Sequence, residues 1–333
     1  MVCEKIRRGN KEIQLMKFYY APLEGVSGYI VRNAHHKFFD SVDAYFSPFI
    51  VANQTDSFKT KEINDILPEH NEGIVLIPQL LTNNAKDFVH TAKKIQKLGY
   101  QEINLNLGCP SATVVSKKRG SGFLAYTDEL DAFLDEIFTN TDMTISVKTR
   151  LGKDSPEEFY QLIEIYNKYP MKELIIHPRI QKDMYKNKPN LDIFQAALNT
   201  SRNPICYNGN IFTANDYEEF TKAFPSVDTI MLGRGLVANP SLVLDIKKER
   251  KLTKDLLKAF HDQVYASYKE ILSGDKNVLF KMKELWFYMV SMFSNYEKYE
   301  KKIKKSERLK DYDEVVAKLL NEQEILESGK YAH

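Results

Sequence analysis

The sequence predicts an α/β protein, a (β/α)8 TIM barrel followed by a C-terminal helical domain, and three observations predict it. Eight short apolar, strand-like runs alternate with longer helical patterns over about the first 235 residues, the alternation that a barrel needs. Polar residues recur at the C-terminal ends of those runs, where barrels gather their chemistry. After Pro240 the strand signal stops, and long, charged, aromatic-rich patterns such as KMKELWFYMVSMF take over. Residues 1–240 are therefore expected to form the barrel and 241–333 the helical domain.

The first run, FYYAPL (18–23), leads into a helical stretch ending at Phe39, and DAYFSPFIV (43–51) and GIVLIPQLL (73–81) follow. In NNAKDFVHTAKKIQKLG, Ala85, Phe88, Val89, Ala92 and Ile95 recur at helical spacing, and Gly99 ends the pattern. EINLNLG (102–108), MTISVKTRL (143–151), KELIIHPR (172–179), NPICYNG (203–209) and VDTIMLGRG (227–235) complete the eight. SPEEFYQLIEIYNKY reads as a helix capped by Ser155 with Pro156 at its first position. A doubly wound sheet is the rival architecture, but APLEGVSG after the first strand is not its GxGxxG loop.

With 333 residues, 43% hydrophobic and 28% charged, the chain has the composition of a globular protein with a sizeable core. There is no run of 18 or more apolar residues, and the basic start lacks the apolar centre of a secretory leader, so neither export nor membrane spanning is expected. Cys3, Cys109 and Cys206 are too scattered for a disulfide framework or a metal cluster, which suits free thiols in a reducing cytoplasm. Net charge is only +2, but residues 298–310 hold seven basic and two acidic side chains; on charge alone this is a solvated helix face.

The polar strand-end residues are Pro22 and Glu24, Gln79, Asn104, Asn106 and Cys109, Lys148 and Arg150, His177 and Arg179, Asn208 and Asn210, and Gly233 with Arg234. Each alone has a structural explanation as a turn cap or a satisfied core polar group. Together in register they outline a site. YNGN and LGRG offer glycines and Arg234 to an anion at the barrel's usual phosphate position. Lys148, His177 and Gln79 can donate hydrogen bonds to a flat polar ring, and flavin mononucleotide (FMN) combines one such ring with one phosphate. Cys109, fixed between Gly108 and Pro110 beside Lys117, Lys118 and Arg119, fits either a small buried hydrophobe or a general acid that protonates a carbon next to one receiving hydride. Spacing alone allows both. An FMN barrel reducing a small enone, a Schiff-base aldolase using Lys148 and a non-catalytic RNA-binding scaffold stand as alternatives.

NLNLGCPSATVVSKKRGSGFL, with YYAPLEGVSGYIVR, IPQL, SVKTRLG, IIHPRIQKDMYKNKPN, ICYNGNI and MLGRGLVANP, resembles the tRNA-dihydrouridine synthases in order over residues 18–241. The resemblance implies an FMN-bearing barrel with a helical tRNA-binding domain, in the cytoplasm, reducing the C5=C6 bond of a tRNA uridine with NADPH as reductant. It implies Cys109 as the acid for C5 and Asn106 at the base and flavin edge. Gln79, Lys148, His177, Asn208, Gly209, Gly233 and Arg234 are implied as flavin ligands, with Pro22 and Leu23 supporting the ring through their backbone. Arg150 and Arg179 resemble family positions near the target nucleotide. The chain departs from the pattern at Ser27-Gly28 (commonly Thr-Asp), in AYFSPFI (usually a Thr-Glu-Met-like sequence) and at Asn210, near the ribityl or phosphate end, where aspartate is typical. A tRNA partner also turns Lys117, Lys118, Arg119 and the basic stretch 298–310 toward RNA contact. No membrane and no stable protein partner is implied.

Overall fold

Alternation along each strand decides which side chains meet the barrel axis and which meet the surrounding helices. The structure, a computed structural model, describes residues 16–329 and, before them, only the backbone of Ile6–Arg7 and Glu12–Ile13, which pair antiparallel. Cys3 lies outside the described residues. The barrel strands are β1 (Lys17–Tyr20), β2 (Ala44–Phe46, resuming as Ile50–Val51), β3 (Leu76–Ile77 and Gln79–Leu81), β4 (Glu102–Leu107), β5 (Thr144–Arg150), β6 (Leu174–His177), β7 (Ile205–Tyr207) and β8 (Thr229–Leu232). All pair in parallel and in sequence order, and β8 returns to β1 through Leu232 and Tyr20. The ring closes between β2 and β3, whose first halves meet at Tyr45 and Leu76 and whose second halves meet at Ile50 and Leu80. The expected (β/α)8 barrel is thus present. β3 is interrupted at Pro78, which has no N–H to give the ladder; β2 is interrupted opposite it, and Ser47 Oγ accepts the N–H of Gln79 at 3.0 Å.

Tyr19, Phe46, Ile175, Cys206 and Met231 fill the axis. Their strand neighbours Phe18, Tyr20, Leu105, Leu107, Val147 and Ile176 pack outward in the main core, each such burial stabilising by roughly 1.5–3 kcal/mol. Register then stacks the inward polar positions. Gln79 pairs with Asn104 and Asn104 with Ser146; one layer up Asn106 pairs with Lys148; above that His177 pairs with Arg150. A slip of one residue on any strand would turn its polar members into the helix layer.

The helix expected from Pro156 begins instead at Glu158 and runs to Tyr166. The Glu158 carboxylate accepts the backbone N–H groups of Lys153, Asp154 and Ser155 at 2.7–2.9 Å, so the preceding residues are held in a turn.

Beyond the short helix Leu242–Ile246, which packs on Ala214–Ala223, come Lys254–Ile271, Asp275–Met289, Glu297–Lys305 and Leu309–Glu322. Lys254–Ile271 packs along Tyr29–Phe39, with Phe39 and Phe260 edge to face at 5.7 Å. Trp286 Nε1 donates to Tyr312 Oη (2.7 Å), which also meets His261 Nε2 at 2.6 Å. These helices share one hydrophobic core with the outer layer of the barrel. Among the described residues no helix is long and apolar enough to cross a membrane.

Candidate active site

The inward polar layers open into a cavity at the C-terminal mouth of the barrel. Of the residues singled out from the sequence, Pro22, Leu23, Gln79, Asn106, Cys109, Lys148, Arg150, His177, Asn208, Gly209, Gly233 and Arg234 line it. Arg179 and Asn210 stand just outside, bonded to lining residues. Lys117, Lys118 and Arg119 lie away from the cavity, on the loop that follows Cys109.

A chain of amides leads to the cysteine. Asn104 Nδ2 donates to Ser146 Oγ (2.9 Å), and Gln79 Nε2 donates to Asn104 Oδ1 (2.7 Å). Gln79 Oε1 therefore faces Asn106 Nδ2 (2.8 Å), which leaves Asn106 Oδ1 to accept the N–H groups of Gly108 (3.1 Å) and Cys109 (2.9 Å). Each link fixes the amide orientation of the next. Downstream, the loop folds back so that Ser121 donates its N–H (3.0 Å) and Oγ (2.9 Å) to the Cys109 carbonyl. The return needs Gly120, at φ +55, where a Cβ would stand 2.7 Å from the Cys109 oxygen. Burial raises the Cys109 pKa, more than the Ser111 backbone N–H, Arg150 and Lys148 lower it, so the group is a thiol at neutral pH.

Lys148 lines the cavity, and it has no hydrogen-bond acceptor or ion-pair partner among the described residues. Desolvation and then Arg150 lower its pKa to about 8. Arg150 is committed elsewhere: Nε donates to the Gly108 carbonyl, Nη1 to Ile180 and Nη2 to Met184, all at 2.9 Å. Arg179 donates to the carbonyl of Asn187 (2.5 Å), to His177 Nε2 (3.2 Å) and to Asn210 Oδ1 (3.1 Å). These two guanidiniums clamp the loop 178–190 over the mouth, and Arg150 lines the cavity while committed to those carbonyls. Because Arg179 can only donate, His177 Nε2 accepts, and Nδ1–H donates to the Asn208 carbonyl at 2.5 Å. Both ring nitrogens are occupied, and burial followed by the neighbouring cations holds the ring neutral. His177 therefore has no donor to spare for a ring ligand.

Arg234 reaches Asn210 Oδ1 at 3.1 Å and lies near the rings of Tyr185 (4.5 Å) and Phe212 (5.2 Å). Asn210, a neutral amide, bridges Arg179 and Arg234 without cancelling their charge. Lys148, Arg150 and Arg179 form no ion pair among the described residues, and desolvation lowers the pKa of each, so an anion bound at the mouth would be favoured by this positive charge.

The sequence profile of the dihydrouridine synthases (Dus) matches residues 19–330. The chain belongs to the dihydrouridine synthase family. Curated relatives include the "tRNA-dihydrouridine(16) synthase" of Pseudomonas putida, 28% identical over 244 residues, which are 71% of this chain and 74% of that one. Another is the "tRNA-dihydrouridine synthase B" of Pasteurella multocida, 26% identical over 177 residues, 53% of each chain. In fold the chain is similar to histamine dehydrogenase from a Rhizobium species (TM-score 0.53, 12% identity), covering 78% of this chain and 50% of that one. It is likewise similar to 2-naphthoyl-CoA reductase (TM-score 0.55, 10% identity, 74% and 52%).

In this dihydrouridine synthase family member the helical region also reaches the mouth. Tyr288 lines the cavity, and Lys281 Nζ donates to the Gly25 carbonyl at 2.8 Å. Gly25, at φ +84, lets the first strand-end loop pass within 2.8 Å of Glu284, measured from where a Cβ would be. At Gly28 the following helix has no acid in its own first turn, and Asp65 supplies the carboxylate, accepting the Tyr29 N–H at 2.8 Å. Sequence reasoning missed four aromatics of the lining: Phe49, Tyr185, Phe212 and Tyr288. Tyr185 follows the HPR motif closely enough to have been a candidate; Tyr288 lies in KMKELWFYM, a stretch similar to a lysine-and-aromatic segment of the family, but nothing in the sequence joins that remote helix to the mouth.

Proposed function

We propose that this chain is an FMN-dependent tRNA-dihydrouridine synthase of the cytoplasm, reducing the C5=C6 bond of a tRNA uridine with NADPH as electron donor. The observation that carries the reading is that a partnerless ammonium, Lys148, and a protonated thiol, Cys109, line one cavity at the barrel mouth. The donor set suits a flavin mononucleotide: an ammonium without an acceptor fits a ring that gains negative charge, and Arg234, Gly209 and Gly233 suit a phosphate. Bound there, FMN would supply the hydride for C6 after reduction by NADPH. Pro22, Leu23, Gln79 and Asn208 would frame the ring, while His177 would position Asn208 and Arg179. Cys109 delivers its proton to C5, and Asn106 sets where the thiol stands. In this reading residues 1–240 catalyse and residues 241–333 bind tRNA, with Lys117, Lys118 and Arg119 as a second anchoring region. Arg150 and Arg179 act on the nucleotide pocket through the 178–190 loop.

The lowered Lys148 pKa is also what a Schiff-base aldolase would need, but that chemistry gives the cation cluster and the Cys109 thiol nothing to do. Two measurements test the proposal. Purified protein should show flavin absorbance; a colourless preparation that traps a carbonyl on Lys148 with borohydride would replace the proposal by the aldolase. Cys109→Ala should keep flavin and tRNA binding and lose dihydrouridine formation by roughly 10²–10⁴-fold. Full turnover by that variant on unmodified tRNA would retire the thiol's role.

A further inference from the structure

A second cleft adjoins the mouth. Its walls are the helices Asp275–Met289 and Glu297–Lys305, and it shares Glu24 and Tyr288 with the cavity already described. Helix Asp275–Met289 spends one face, including Leu279, Met282 and Trp286, on the core. A different stripe, Phe280, Lys283, Glu284 and Phe287 at i, i+3, i+4 and i+7, faces the cleft. Phe280 is 60% and Phe287 51% exposed. Two such rings on one stripe make an apolar patch that a protein rarely leaves open without a partner.

We propose that this cleft holds an unpaired nucleotide next to the target uridine, its base against Phe280 or Phe287 and its phosphate toward Lys304. The inference rests on the reading under Proposed function. When one base leaves its stack for the barrel mouth, its neighbours lose a stacking face. The cleft offers aromatic replacements in direct continuity with the cavity. The lining holds three carboxylates, Glu24, Glu284 and Glu300, and the first two are paired with Lys61 and Lys281, so the positive charge that remains lies on the Lys304 side. Lys304 sits on the rim, and Lys301, Lys302 and Lys305 extend the positive surface along the same exposed helix. Stacking on an aromatic ring tolerates any base, so the cleft would steady the RNA without reading its sequence.

The test compares two probes on the flavin-loaded protein, a uridylate hexamer and a ribose-phosphate hexamer lacking bases. Phe280→Ala with Phe287→Ala should weaken the uridylate hexamer ten- to hundredfold and leave the abasic hexamer and the flavin content unchanged. Tyr at both positions should restore binding. On unmodified tRNA the KM of the alanine variant should rise by a similar factor. Equal affinity for uridylate before and after substitution, or equal loss for both hexamers, overturns the proposal. So does a wild-type dimer that the alanine variant splits without change in RNA affinity, which would make the cleft a surface between copies. The two readings fail separately: absence of dihydrouridine formation by the wild type sinks the enzymatic reading, whereas the hexamer titrations decide the cleft.

Discussion

A thiol that must give up a proton needs the opposite environment from a thiol that must attack. Cys109 has it: desolvation outweighs Ser111, Arg150 and Lys148, and its pKa lies above the ordinary value. Alkylation of Cys109 by iodoacetamide should therefore be slow at pH 7 and accelerate only above the usual thiol range, as followed by peptide mass spectrometry; rapid labelling at neutral pH would show a thiolate. Lys148 carries a second pH signature. Its ammonium has a pKa of about 8 in the free site, and an anionic ligand raises it, so binding takes up a proton once the pH exceeds about 8. Flavin affinity should then fall with rising pH, toward tenfold per unit, and Lys148→Met should flatten that slope in a titration followed by fluorescence. Asn104 touches neither thiol nor cavity, yet it orients Gln79 and, through it, Asn106. Asn104→Leu should cost about 1–3 kcal/mol of stability, because it strands buried amides, and should slow turnover at least tenfold while flavin stays bound.

At the scale of elements, the loop after Cys109 depends on one residue. Gly120→Ala has to relieve both a positive φ and a clash with the Cys109 carbonyl, a strain of about 1–3 kcal/mol; it should reduce turnover more than flavin content, compared in one preparation. Strand ends were the legible part of the site, because period-two alternation and barrel geometry together say which residues point inward. Asn106, Lys148 and Asn208 could be picked out for that reason. Hydrogen-bond partners were not legible. Nothing in VKTR or HPR distinguishes a guanidinium aimed at a nucleotide from one spent on the carbonyls of a loop 30 residues away, which is where Arg150 goes. Nor does Ser155-Pro156 disclose that Glu158 will take the capping role from the serine. The basic stretch 298–310 forms an exposed lysine face over Glu297–Lys305. Reversing the charge of Lys301, Lys302, Lys304 and Lys305 should weaken tRNA binding and shallow its salt dependence, with flavin retained.

For the whole molecule, one buried carboxyl at the base of the barrel sets a pH limit. Desolvation, then Glu102, raises the Glu173 pKa to about 7. A raised acid stabilises the fold below its unfolded pKa and loses that contribution as the pH climbs through about 7. Glu173→Gln should therefore raise the unfolding temperature at pH 8, by the equivalent of about 3 kcal/mol, and leave it unchanged near pH 4. The barrel itself was readable because eight runs and their intervals repeat one arrangement, whereas the closure through two broken strands at Ser47 and Pro78 was not.

The seam between Tyr29–Phe39 and Lys254–Ile271, sealed by Phe39 and Phe260, has a consequence for how such a protein changes its preferences. One apolar interior runs through both halves, so the helical part is held to the barrel by the same core that holds the barrel's own helices. Under the proposed tRNA-binding role of the helical part, altered positional choice requires refitting that seam, so it should arrive through several coordinated replacements and not through a single surface exchange.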